Sequence, residues 1–109
     1  MLVKVCGITR LEDAEAAVDQ GADALGFIFW PGSPRFIDPY RARAIVSALP
    51  PFVTTVGVFV NQPAAYVNGV ATLARLSAVQ LHGDEDIAFA ARMTRPTIKS
   101  VTAADAACA

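Results

Sequence analysis

Several short segments of this chain are apolar at nearly every position, not at every second one. Val53 to Val60 is rich in β-branched residues, and Ala24-Leu25-Gly26-Phe27-Ile28-Phe29 is apolar throughout. Leu2-Val3-Lys4-Val5-Cys6, Ala78-Val79-Gln80-Leu81-His82 and Thr97-Ile98-Lys99-Ser100-Val101 read the same way with one or two polar insertions. A strand that is apolar on both faces must be covered on both, which is the habit of parallel sheets. Helical patterns lie between these strands. Leu11 to Gln20 carries Leu11, Ala14 and Val18 on one face, with Gly21 as a C-terminal cap. Asp38 with Pro39 after it starts a helix to about Ala48. A third helix spans about Ala64 to Leu73, weakened by Gly69. Asp84 is expected to cap a fourth that runs to about Met93, with Ile87, Ala90 and Ala91 inward, and Ala103 to Ala109 begins a further helical pattern. The order is β-α-β-α-β-α-β-α-β, the α/β class.

Two architectures close such a repeat, the doubly wound open sheet and the (β/α)8 barrel. The length of 109 residues suits one five-stranded open sheet. However, Cys6-Gly7-Ile8-Thr9 after the first strand is not the Gly-rich phosphate loop G-x-G-x-x-G. The chain is also 54% hydrophobic and 17% charged, oily for a small domain that must wet much of its surface. A net charge of -1 supplies no basic field for nucleic acid or an anionic membrane. The stretch from Arg43 to Arg75 contains no other charge, but Pro50-Pro51, Asn61-Gln62-Pro63 and Asn68-Gly69 interrupt it before it reaches the roughly 20 apolar residues of a spanning helix. The N-terminus has no long apolar signal-peptide region, so a cytoplasmic protein is expected. There Cys6 and Cys108 default to free thiols, and neither has metal-ligand spacing to the lone His82.

In both architectures chemistry sits at the carboxyl ends of the strands. Those ends carry Cys6-Gly7, the loop Trp30-Pro31-Gly32-Ser33-Pro34-Arg35, Asn61, and Gln80-Leu81-His82-Gly83-Asp84. Cys6 reads equally as a buried small hydrophobe or as a thiolate base or nucleophile before a helix N-terminus. Arg35, between prolines, is a solvated side chain or a planar fork for carboxylate or phosphate. His82 is a structural histidine or a metal ligand, with metal disfavoured for a lone His. Gln80 and Asn61 could simply satisfy backbone groups at strand ends. Together the residues indicate a small polar ligand, not yet a reaction.

The blocks Val5-Cys6-Gly7-Ile8-Thr9-Arg10 with Asp13-Ala14, Gly21 to Phe29, Ser33-Pro34-Arg35-Phe36-Ile37, Val56-Gly57-Val58-Phe59-Val60-Asn61, Val79 to Glu85 and Ile98-Lys99-Ser100 occur in one order and register. In these the chain resembles the phosphoribosylanthranilate isomerase family of tryptophan biosynthesis. The resemblance implies a parallel (β/α)8 TIM barrel and an Amadori rearrangement without cofactor or metal. It implies Cys6 as general base, Arg35 on the anthranilate carboxylate, and Gln80, His82 and Asn61 lining the substrate pocket. It also implies a general-acid Asp on a later strand and Gly-rich phosphate loops after the last two strands. Nothing after Val101 matches these, and Asp105 does not sit in the acid's motif. Residues 1–109 are therefore expected to form a single incomplete barrel domain, truncated after the fifth strand of eight and inactive alone. The alternatives are a non-catalytic half-barrel remnant and a small α/β binding domain. Open sheet edges suggest a homo-oligomer; neither nucleic acid nor membrane is expected as a partner.

Overall fold

A computed structural model describes residues 1–99. Its elements are β1 (Lys4–Cys6), α1 (Leu11–Asp19), β2 (Ala24–Ile28), α2 (Pro39–Ser47), β3 (Thr54–Phe59), α3 (Ala64–Leu73), β4 (Ala78–Leu81), α4 (Ile87–Ala90) and β5 (Thr97–Lys99). All five strands are parallel, in the spatial order β1-β2-β3-β4-β5. A doubly wound sheet reverses its strand order at a switch point. This sheet never reverses, so the open-sheet alternative that length favoured is set aside. It is a singly wound α/β sheet, a partial (β/α)8 barrel.

The two faces of the sheet have different composition. Leu25, Phe27, Phe29, Phe59, Val79 and Leu81 point outward and are buried with Ala14 of α1, Ala42 and Ile45 of α2, and Val67, Val70 and Ala71 of α3. The rings of Phe29 and Phe59 stack with centroids 5.4 Å apart, and Tyr66 meets Phe59 edge-on at 6.3 Å. The other face carries Lys4, Cys6, Gly26, Ile28, Val56, Val58 and Gln80, aligned by the ladder registers. On that face Lys4 Nζ of β1 donates to Gln80 Oε1 of β4. Three strand spacings would separate them by about 14 Å on a flat sheet, before any stagger. The contact closes only because the sheet is curved with this face inside.

Most expected elements form, with boundaries drawn in by a residue or two. Asp38 caps α2, accepting from the N–H groups of Tyr40 (2.8 Å) and Arg41 (3.3 Å), and Pro39 begins the helix. Gly21 follows α1 with φ +95 and donates to the Val18 carbonyl at 2.9 Å. The third helix forms over its full expected span despite Gly69, because burial of Val67, Val70 and Ala71 outweighs local propensity. The fourth helix differs from expectation. Asp86, not Asp84, caps it through Phe89 N–H at 2.8 Å, and it is only 4 residues long. Asp84 is held elsewhere, its N–H donating to Asn61 Oδ1 at 2.8 Å. Ile87 and Ala91 lie exposed, while Phe89 and Ala90 pack on the core. Leu2 is likewise exposed; among the described residues β1 has one strand neighbour and its pairing starts at Lys4. Ser100, Val101 and the helical pattern at 103–109 lie outside the described residues.

Phe59 is the aromatic hub between strands and helices. Phe59→Ala is expected to destabilise the chain by about 3–5 kcal/mol, the usual cost of a large aromatic cavity. A urea-unfolding midpoint within error of the wild type would contradict that packing.

Candidate functional site

The strand ends meet at one rim, where backbone geometry brings Cys6 and Arg35 together. Gly7 turns the chain sharply after β1, with φ +85, and its N–H donates to the Gly26 carbonyl at 3.0 Å. Any Cβ at Gly7 would lie 2.6 Å from the Arg35 side chain, so the guanidinium stem passes directly over this glycine. Arg35 Nη1 donates to the Cys6 carbonyl at 3.4 Å. The loop that presents Arg35 is itself fixed. Ser33 Oγ accepts from Arg35 N–H at 3.1 Å, Phe36 bridges Ile28, and Ile37 N–H reaches the Ile28 carbonyl at 3.0 Å. A second glycine, Gly26, makes room on the inner face, since a Cβ there would lie 2.4 Å from Cys6 Sγ. Cys6 is disulfide-bonded in this structure, where the sequence reading expected free thiols; Cys108 lies outside the described residues.

Gln80 is buried on the same inner face, one layer below the rim, and receives the Lys4 ammonium. Burial pushes the Lys4 pKa below the ordinary lysine value. Sequence reading passed over Lys4 as a polar interruption of a strand. Its spacing of two from Cys6, which puts both on one face, was the available signal.

Asn61 and His82 stand on the far side of the rim. Asn61 adopts φ +51 just after β3, and Gly83 packs so closely that a Cβ would lie 2.6 Å from Asn61 Oδ1. The side-chain oxygen Oδ1 of Asn61 accepts from Asp84 N–H, so it satisfies the backbone. His82 N–H continues the ladder to the Phe59 carbonyl at 2.9 Å. Behind these residues the Glu85 carboxylate accepts from the N–H groups of Asn61 and Gly83, both at 2.8 Å, and from Lys99 Nζ at 3.2 Å. Burial alone would raise the Glu85 pKa. The Asn61 N–H, its own N–H, Lys99 and the Gly83 N–H together hold it below the usual carboxylate value.

A cleft of about 420 Å³ opens beside this cluster, lined by Asn61, Gln62, Pro63, Asp84, Glu85, Asp86 and Phe89. Its three carboxylates would repel an anion. The cationic side of the rim, at Arg35, is where an anionic ligand is favoured. Among the described residues no helix is long and apolar enough to cross a membrane.

A singly wound parallel sheet with helices on one face, a curved polar interior and its functional groups at the strand C-termini defines a (β/α)-barrel protein of the TIM type. Residues 3–107 match the family model for N-(5'-phosphoribosyl)anthranilate (PRA) isomerase. The chain is 55% identical over 103 residues to the N-(5'-phosphoribosyl)anthranilate isomerase of Geobacter metallireducens, covering 94% of this chain and 51% of that protein. It superimposes on the crystal structure of phosphoribosyl anthranilate isomerase from Thermotoga maritima with TM-score 0.90 and 50% identity, over 91% of this chain and 49% of that one. The Thermus thermophilus enzyme gives TM-score 0.88 at 52% identity, over 91% and 50%. The chain belongs to the phosphoribosylanthranilate isomerase family. It spans about half the length of the curated relatives it matches.

Gly7 couples the backbone turn to the position of Arg35. Gly7→Ala should lower stability by about 1–2 kcal/mol from the left-handed backbone alone. The clash adds to this, and Arg35→Ala in the same chain should relieve the added part. A double-mutant cycle in urea with no coupling between the two positions would show that the side chain does not lie over the glycine.

Proposed function

We propose that this chain supplies the base and carboxylate-binding half of an N-(5'-phosphoribosyl)anthranilate isomerase of tryptophan biosynthesis, working in the cytoplasm. The observation that supports it most is the packing of Arg35 across Gly7 onto the Cys6 carbonyl, which sets a fixed cation beside a sulfur on one rim. A crystal structure of a family member holds reduced 1-(o-carboxyphenylamino)-1-deoxyribulose 5-phosphate, and this chain is 50% identical to it over 91% of its length. A ligand of that kind carries an aromatic carboxylate, a phosphate and the carbons between which the reaction moves hydrogen.

In this reading Arg35 pairs with the anthranilate carboxylate through its planar fork. A general acid outside the described residues protonates the ribose ring oxygen. The C1′–O bond breaks, and the nitrogen lone pair forms the iminium. The C2′ proton is then acidified, and the reduced Cys6 thiolate removes it. The electron pair of that C–H bond forms the enolamine C1′=C2′, and nitrogen regains its lone pair. Reprotonation at C1′ with loss of the enol proton gives the ketone. C1′ is reduced, C2′ is oxidised, and no external redox partner takes part. His82 and Gln80 line the pocket, and Asn61 shapes its wall by holding the Asp84 backbone. The mechanism assigns no role to a cofactor. Residues 1–109 act as one part of a single barrel domain, not as a separate binding domain.

The isolated chain is expected to show no turnover of N-(5'-phosphoribosyl)anthranilate under reducing conditions. Adding the remaining half of a family barrel should restore it, and Cys6→Ala should then lower kcat by a factor of about 10²–10⁴. Turnover by the isolated chain would overturn the division of labour. Restored turnover that is indifferent to Cys6→Ala would overturn its role as base.

A second reading, a half-barrel that self-associates, is favoured by one observation. β1 and β5 each have a single strand neighbour among the described residues, and Val3 and Ile98 beside them are exposed. Such edges template pairing with another chain. Sedimentation velocity of the isolated chain should show dimers or larger species; a monodisperse monomer across micromolar concentrations would count against open edges.

A further inference from the structure

The geometry points to Glu85 as a positioning residue that locks the His82-Gly83-Asp84 segment to the end of β3 and so sets the far wall of the rim. The side chain of Glu85 is 2% exposed, buried although charged. Its two oxygens take separate tasks. Oε2 accepts the N–H of Asn61, and Oε1 accepts the N–H of Gly83 and the Lys99 ammonium. Asn61 completes the lock by accepting Asp84 N–H with its side chain, and Lys99 Nζ also donates to the Gly83 carbonyl. The ends of β3, β4 and β5 are thereby joined through one carboxylate. The left-handed backbone at Asn61, with φ +51, needs such outside support to persist. His82 immediately precedes this locked turn. Glu85 itself lies behind the rim and touches no candidate reacting atom.

The chemistry of the lock requires an ionised carboxylate. Both backbone partners are donors, so a side chain with one oxygen and one amide nitrogen would set donor against donor on one side. Among the described residues, the charged and titratable groups around Glu85 are Lys99 from β5, Asp84 and Asp86 on its own loop, and His82 before it, and the β3–α3 side offers the uncharged Asn61 and Gln62. Because the folded-state pKa of Glu85 is lowered, its stabilising effect is complete above the unfolded value and disappears as pH falls through the folded one.

The inference rests on the isomerase reading only in giving the rim a substrate, and the lock can be tested without one. In the 109-residue chain, the Asn61 and Gly83 amide resonances should be protected from exchange at neutral pH and should shift together as acid titrates Glu85, below the ordinary glutamate range. Lys99→Met should keep the protection and move that midpoint upward. Glu85→Gln should abolish protection at one or both of these amides and shift the His82 ring signals while Phe59 and Val79 stay protected. Should Glu85→Gln unfold the chain, the wild-type titration decides the matter. Amides of Asn61 and Gly83 that do not respond to acid, or that remain protected in Glu85→Gln, overturn the proposal. In the complemented barrel Glu85→Gln should raise KM by about tenfold with a smaller change in kcat, as expected for a displaced wall. Absence of any turnover there sinks the isomerase reading and leaves the amide result standing.

Discussion

Parallel pairing of strands in strict chain order is the constraint from which the other features follow. Each crossover between parallel neighbours in one sheet is right-handed, so a sheet that never reverses its order receives every helix on the same face. The helix-covered face then becomes the outer core of Phe27, Phe29, Phe59 and Leu81. The opposite face is left to curve inward, and the Lys4–Gln80 contact across three strand spacings records how far it does so. The same rule puts all strand C-termini on one rim. Cys6, Arg35, Asn61 and His82 are scattered over more than half of the sequence, yet a parallel sheet in chain order cannot place them anywhere else.

Much of this was legible in the residues because it depends on local rules. The Asp38-Pro39 start of α2, the Gly21 stop after α1 and the five apolar strands are read from turn chemistry and hydrophobic pattern alone. Where reading failed, a long-range interaction had taken over a locally attractive residue. Asp84 has the right type to cap a helix, but the side-chain oxygen Oδ1 of Asn61, 23 positions earlier, holds its N–H, and Asp86 provides the cap. Ile87 looked like the inward anchor of that helix; with the start shifted by two residues, Phe89 turns to the core in its place. Length misled for a different reason. A chain of this size can make a complete open sheet, and only the strand order, which no periodicity encodes, distinguishes that from part of a barrel.

The candidate site was legible by residue type and position but not by purpose. Cys6 and Gln80 lie on the inner face of the sheet, and the close approach of Arg35 to Gly7 accounts for a glycine after the first strand. Lys4 and Glu85 escaped notice because their roles exist only across strands. A lysine inside a short apolar run gives no hint that a buried amide on β4 awaits it. A glutamate in an acidic stretch reads as solvated surface until two backbone N–H groups and a lysine are found around it.

These two residues give the rim an electrostatic polarity that bears on how a substrate with charged ends would lie. The interior near β1 holds the Lys4 ammonium, and Arg35 sits above it, so positive charge gathers on the side of Cys6. On the opposite side Asp84, Glu85 and Asp86 gather negative charge, and Lys99 pairs with the Glu85 part of it. A carboxylate entering the rim is drawn toward Arg35 and away from the β4–α4 loop, with an energy of about 4 kcal/mol for a contact pair near a protein surface before desolvation is counted. That bias orients the ligand before any shape complementarity acts. It favours a ligand whose anionic end lies nearest β1, where Cys6 is. Gly7 and Gly26 then keep this corner narrow, one by admitting the arginine stem and the other by admitting the sulfur. The corner between Cys6 and Arg35 is therefore shaped by two missing Cβ atoms on the first two strands, and its charge is set against that of the β4–α4 loop.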